Sequence, residues 1–350
     1  MALFVLIVFF QSNSRSLFDA QNLNSKKTFG VIIFLFVTLY MGTRPISFEF
    51  GDMGVYALEF EDYAHGVSLN TSKELIFGMF MKISSSIMSA EMFFLLCAFI
   101  YVFPLYLASK KFFKNYWFYS LFILIISFSF WAYGTNGIRN GIGTSLFIYG
   151  LSKNKNVVKV AIFLLAISIH TSLILPTVAF LISLFYKNIK FYLFAWIIAI
   201  PLSLVLGGFW ENFFLNLGFV EKSRIVGYFV DNQLALDNIV EVKVGFRWDF
   251  LIYSATGVFA GYYYIFKKKF DDVLYNRLFA IYLMCNALWI LVIRANFSNR
   301  FAYLSWFLLG LIIIYPLLKV VLFKKQHVVV GMIMFLYFLF TFVVNFIFAK

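Results

Sequence analysis

Charge is scarce in this sequence. Only 13% of its 350 residues are Asp, Glu, Lys or Arg, where a soluble domain carries about a quarter. That is too little to cover a water-facing surface, and it excludes an ordinary soluble fold. Cysteine is nearly absent. Cys97 and Cys285 each sit in an apolar stretch and form neither a CxxC pair nor a Cys/His cluster, so neither a disulfide framework nor a thiolate metal site is expected. Histidine occurs only at His65, His170 and His327. There is no GxxxxGK loop, and the lysine-bearing loops are too short for a nucleotide-binding domain. The opening MALFVLIVFF lacks both a basic leader and a small-residue cleavage site, which sets it apart from a removable signal peptide.

What is present is apolar bulk: 63% of the residues are hydrophobic and 49 are Phe. Apolar runs recur near 1–18, 28–43, 89–108, 116–134, 136–152, 156–169, 171–186, 191–207, 248–266, 274–293, 301–318 and 327–348. Runs of this length read as membrane-crossing helices. The expectation is an all-α polytopic membrane protein with about 11–12 transmembrane helices. They form one integral domain over 1–350, with long loops at 44–88 and 208–247. Within those loops, KELIFGMFMKISSSIM at 73–88 and the stretch 208–220 are amphipathic enough to lie in a membrane interface.

Basic residues orient the chain. Lysines cluster on alternate loops, at Lys26–Lys27, Lys110–Lys114, Lys153–Lys159, Lys187–Lys190, Lys267–Lys269 and Lys319–Lys325. This is the pattern of cytoplasmic loops. The net charge of +13 therefore reads as topology, and no nucleic-acid partner is expected. Arginine behaves differently. Six of the eight, Arg44, Arg139, Arg224, Arg247, Arg294 and Arg300, fall on the opposite, external side. Positive-inside topology does not explain them. A guanidinium fork grips phosphate or carboxylate oxygens in a way an ammonium does not, so the external face is expected to hold an anion.

Five passages carry these residues. In TRPISFEFGDMGVY at 43–56, Arg44 ends a span, and Asp52 and Tyr56 are four apart, one face of a helix. In NGIRNGIG at 136–143, Asn136, Arg139, Asn140 and Gly143 recur at helical spacing, and Gly137 and Gly141 form a GxxxG pair. Arg139 falls in the first turn of a helix, whose positive dipole end favours an anion. In SIHTS at 168–172, His170 occupies a turn between two short spans and suits general-base work. FRWDF at 246–250 supplies Arg247 and Asp249, and IRANFSNRFAY at 293–303 supplies Arg294, Arg300 and Tyr303.

Taken in this order, the chain resembles the EpsG-like branch of the Wzy-type bacterial polysaccharide polymerases. The passages that carry the resemblance are Arg44 with Gly51, Asp52 and Tyr56; NGIRNGIG; His170, Thr171 and Ser172 leading to Pro176; Phe246 with Arg247; and Arg300 with Tyr303. The resemblance implies an enzyme in the bacterial cytoplasmic membrane that works on its outer face. It would resemble C-type membrane glycosyltransferases in fold. It would join undecaprenyl-pyrophosphate-linked oligosaccharides of O-antigen or capsule, using no cofactor and no metal. A regulator protein that sets chain length and the surrounding membrane lipid are the other partners implied. His170, and after it Asp52, are the catalytic candidates. Arg44, Tyr56, Asn136, Arg139, Asn140, Arg247, Asp249, Arg294, Arg300 and Tyr303 are the candidates for holding the pyrophosphate and glycan. A flippase for the same lipid-linked sugars and an O-antigen ligase are the alternatives.

Overall fold

The computed structural model describes residues 1–69, 75–216, 245–295 and 298–346. Arg224 and most of the loop expected at 208–247 lie outside the described residues. Among these residues every regular element is helical and there is no strand. Lipid offers no hydrogen-bond partners, and a helix satisfies its own backbone.

Fifteen α-helices are described. The first nine are α1 Ala2–Ser14, α2 Ala20–Gly42, α3 Asp52–Ala64, α4 Leu75–Ser85, α5 Ala90–Phe113, α6 Trp117–Ile125, α7 Phe128–Thr135, α8 Ile138–Leu151 and α9 Asn156–Ile169. They are followed by α10 Ile174–Phe185, α11 Ile189–Asn216, α12 Trp248–Tyr262, α13 Val273–Leu291, α14 Asn299–Lys319 and α15 Gln326–Phe346. Among the described residues, six helical stretches are long and apolar enough to cross a bilayer: Leu23–Gly42, Ala90–Ile125, Ile189–Trp210, Val273–Leu291, Arg300–Lys319 and Gln326–Val344. The others are shorter. Helices α8 and α9 have 14 residues each, about 21 Å at 1.5 Å per residue, less than the roughly 30 Å hydrocarbon core. Helix α1 is shorter still, with 13 residues.

Several element boundaries differ from the apolar runs: α2 already begins at Ala20 and α5 runs on to Phe113. The run 116–134 breaks after Ile125, and α7 restarts with Ser127 Oγ accepting the Phe130 N–H at 3.2 Å. Helix α11 continues past 207 to Asn216, with a kink at Leu206 (φ −120°, ψ 26°). The loop expected at 44–88 contains two helices, α3 and α4.

The helices group into two compact units, Met1–Leu173 with Ile314–Lys350, and Ile174–Ile313. In the first, α8 is flanked by α5 and α9. Glycine makes that packing possible. A Cβ on Gly150 would meet the Phe163 ring at 2.6 Å, and one on Gly143 would meet Leu173 at 3.0 Å and the Ala166 carbonyl at 3.3 Å. The GxxxG pair serves aromatic neighbours: a Cβ on Gly141 would meet Tyr101 at 3.2 Å, and one on Gly137 would meet Tyr133 at 3.2 Å. Small residues at these positions let neighbouring groups approach the α8 backbone.

The second unit is tied together by buried polar groups. Trp196 Nε1 donates to Asn286 Oδ1 at 2.7 Å, and Asn286 Nδ2 donates to Ser305 Oγ at 2.9 Å. Trp306 Nε1 donates to Ser254 Oγ at 2.6 Å, and Tyr282 OH donates to the Ser254 carbonyl at 2.6 Å. Together these bonds link α11, α12, α13 and α14. Asn286→Leu is therefore expected to lower the unfolding temperature in detergent, at a cost of about 1–2 kcal/mol for two lost interhelical bonds. Thermal unfolding of the purified variant checks this.

Candidate active site

The site begins where α2 ends. Arg44 Nη1 donates to the carbonyls of Met41 (2.8 Å) and Gly134 (2.9 Å), and Nη2 donates to that of Thr135 (3.1 Å). These are terminal carbonyls of α2 and α7. A cation there meets the negative ends of two helices and satisfies carbonyls that have no intrahelical partner. The guanidinium also stacks 5.3 Å from the Phe50 ring. Burial lowers its pKa to about 10, so it remains charged at neutral pH. In this arrangement Arg44 is occupied with backbone. It fixes where α7 stops and so where α8 starts.

The next link is Gly51, whose φ is +63°. A Cβ there would run into the Asn136 side-chain amide, and the conformation itself is costly for any residue but glycine. In return Asn136 Oδ1 accepts the Asp52 N–H at 3.2 Å. That bond joins the start of α3 to the turn before α8. Gly51→Ala is expected to destabilise the protein by about 1–3 kcal/mol through this strain alone, read as a lowered unfolding temperature.

Helix α3 presents Asp52, Tyr56, Glu59 and Tyr63 at i, i+4, i+7 and i+11, one polar stripe. Tyr63 OH donates to Glu59 Oε1 at 3.0 Å. Tyr56 OH accepts from Arg139 Nε at 2.8 Å. Arg139 is only 5% exposed. Its guanidinium carbon lies 5.3 Å from the Tyr56 ring centre and 6.0 Å from that of Phe77, within cation–π range. Phe77 belongs to the amphipathic α4 and packs on Tyr56 at 5.6 Å and on Phe93 of α5 at 6.2 Å. The segment 75–85 thus puts its apolar face on the bundle and contributes a wall to Arg139.

One position further along α8, Asn140 faces the α9–α10 turn. Ser172 Oγ lies 2.9 Å from Asn140 Oδ1 and 2.8 Å from His170 Nδ1. The hydroxyl has one proton and two acceptors in reach. The Ser172 backbone N–H also donates to Nδ1 at 3.2 Å. A backbone N–H has no other role, so Nδ1 carries a lone pair and the neutral ring holds its proton on Nε2. The basic nitrogen of His170 therefore faces Ser172. His170 itself is extended (φ −149°, ψ 117°) and half-buried.

Seven of the twelve candidates from sequence thus lie in the first unit and interlock: Arg44, Asp52, Tyr56, Asn136, Arg139, Asn140 and His170. Sequence reasoning gave no role to Glu59, Phe77 or Ser172. The signals for them are the seven-residue offset of Glu59 from Asp52, and the hydroxyl two residues after His170. The other five candidates belong to the second unit. Arg247 and Asp249 pair with each other through two bonds of 2.9 and 2.6 Å, and the Arg247 guanidinium stacks 3.8 Å from Phe250. Exposed Arg294 donates to the Leu204 carbonyl at 3.2 Å, and its side chain covers Gly207 at the α11 kink. Tyr303 is buried against Trp306, 5.5 Å between ring centres, and Arg300 is exposed at the start of α14. Among the described residues no three His, Cys, Asp or Glu side chains come together as a metal site.

A family model, that of the EpsG family, matches residues 27–350, a stretch that contains every residue of this site. No curated protein and no solved structure matches the chain.

Proposed function

The chain belongs to the EpsG family, and from that premise we propose that it is a repeat-unit polymerase of bacterial polysaccharide. It would transfer a growing glycan from undecaprenyl pyrophosphate to a sugar hydroxyl of another lipid-linked repeat, on the outer face of the cytoplasmic membrane.

The observation that carries this reading is Arg139. A buried guanidinium is held between two rings and a phenol oxygen, in the first turn of α8. The positive end of a helix and a fixed cation at one point draw an anion there. A lipid pyrophosphate is such an anion. Its charge grows as the sugar C1–O bond breaks, so a donor already in place stabilises the transition state more than the ground state.

In the proposed step the acceptor hydroxyl oxygen attacks C1, and a new C1–O bond forms. The old C1–O bond breaks, and its electron pair leaves with the carrier pyrophosphate. The hydroxyl proton passes to His170 Nδ1 through Ser172 Oγ, the group that faces that nitrogen. For that transfer the serine hydroxyl turns its proton from Asn140 Oδ1, its acceptor at 2.9 Å, to Nδ1. Asp52 stands at the head of the α3 stripe, where its carboxylate is suited to accept hydrogen bonds from sugar hydroxyls. The carrier's polyprenyl tail would remain in lipid.

Purified protein in detergent, given lipid-linked repeats and no lipid core, tests the reading. A polymerase lengthens the glycans and releases carrier pyrophosphate without a sealed bilayer. A flippase leaves single repeats, and so does a ligase that lacks its lipid-core acceptor. Products confined to single repeats would overturn the proposal.

A further inference from the structure

The lysine-rich end of the second unit contains a cavity of about 180 Å³, at the α10–α11 turn and the start of α13. A single water needs only about 10–15 Å³ by the same measure, so a phosphate-sized group fits. None of the residues of the proposed active site lines it.

Its polar lining is of two kinds. Lys187 and Arg277 are cations. Arg277 is half-buried, near the positive end of α13, and its guanidinium makes no ion pair or hydrogen bond with a side chain or carbonyl among the described residues. Asp271 and Asn276 present acceptors. Asn276 Nδ2 donates to Asp271 Oδ1 at 3.2 Å, which fixes the amide. Its Oδ1 is left buried and without a hydrogen-bond partner, a state that costs about 1–3 kcal/mol unless a donor arrives. The rim is apolar: Tyr186 and Val273 line the cavity and are 43% and 64% exposed.

A free inorganic anion would satisfy the cations. It would leave the Asn276 oxygen unmet and would face the Asp271 carboxylate. A phosphodiester whose alcohol carries N–H or O–H groups satisfies both halves, and acyl carbons suit the rim. We propose that this cavity binds a membrane phospholipid through its headgroup. The phosphate sits against Arg277 and Lys187, and an ethanolamine ammonium or glycerol hydroxyl donates to Asn276 and Asp271. The lysines at 267–269 and 190 would raise the local concentration of anionic lipid.

The test is lipid titration of the delipidated protein in detergent, with binding read by native mass spectrometry and unfolding temperature. The probes are phosphatidylglycerol, phosphatidylethanolamine, phosphatidylcholine and glycerol 3-phosphate. Phosphatidylglycerol and phosphatidylethanolamine are expected to bind the wild type and raise its unfolding temperature. Phosphatidylcholine, which has the phosphate and no donor, binds at least five-fold more weakly. Arg277→Gln weakens phosphatidylglycerol binding ten-fold or more. Lys187→Gln, at an exposed turn position that does not threaten folding, weakens it three-fold or more. Equal binding of all three lipids, or unchanged binding in Lys187→Gln, overturns the proposal. Binding of glycerol 3-phosphate as tight as that of the lipids overturns the lipid as ligand. No arm depends on polymerase activity, so the outcome is independent of the proposed catalytic role.

Discussion

Arg139→Ala is expected to slow chain extension by about 100- to 1,000-fold, the usual loss when one preorganised donor to a developing negative charge is removed. The variant would still insert and fold. The space beside Tyr56 and Phe77 is walled by α3, α4 and α5, and the ring contacts of Phe60, Phe77 and Phe80 with Phe93 that join them remain when the arginine is removed. Carrier-linked single repeats should accumulate while protein abundance stays near wild type. Arg139→Lys distinguishes charge from shape. A lysine keeps the charge but cannot donate along the fork that Nε anchors on Tyr56, so it should recover only a small part of the rate. Tyr56→Phe removes that anchor and keeps the ring. It should cost less, about ten-fold, because the cation–π contact survives. A full ladder from Arg139→Ala would mean the guanidinium only shapes the wall.

His170→Ala is expected to cost about 100- to 10,000-fold, the span typical of general-base catalysis. The direction of the pH effect follows from the ring's role. Activity should fall as the pH drops and the imidazole takes up a proton, because Nδ1 then has no lone pair for the acceptor's proton. The variant should lose this acid limb along with its rate. Ser172→Ala separates two routes. If the serine hydroxyl passes the proton to Nδ1, this substitution approaches the His170→Ala loss. If the serine only orients the ring, the loss is about ten-fold and the acid limb persists. A pH–rate profile of the three proteins decides it.

Much of this architecture could be read from composition. Scarce charge and repeated apolar runs point to helices that satisfy their own backbone in lipid, and every regular element among the described residues is a helix. The polar face of α3 was legible in the spacing of Asp52 and Tyr56, and the first-turn place of Arg139 in the position of NGIRNGIG. Other features were hidden for physical reasons. WFYSLFILIISFSFWAYG is so uniformly apolar that the break at Ile126–Ser127 leaves no mark in hydropathy, and only the serine cap betrays it. Arg44 reads as a candidate ligand because a sequence cannot show which carbonyls two helices will leave at one point. Arg247 and Asp249 are two residues apart, so their ion pair depends on where α12 begins. Arg294 meets a carbonyl at a kink set by Leu206. Ser172 gained its place from the path of a three-residue turn, which no periodicity records.

The most direct measurement of the central claim is photo-crosslinking with an undecaprenyl-pyrophosphate oligosaccharide that carries the reactive group beside the pyrophosphate. Purified protein is irradiated, digested and mapped by mass spectrometry. The account predicts adducts in the peptides that hold Asp52–Tyr63, Asn136–Thr144 and His170–Leu173, reduced by competing unlabelled substrate and lost in Arg139→Ala. Adducts that avoid all three peptides, or that persist unchanged in Arg139→Ala, would contradict it.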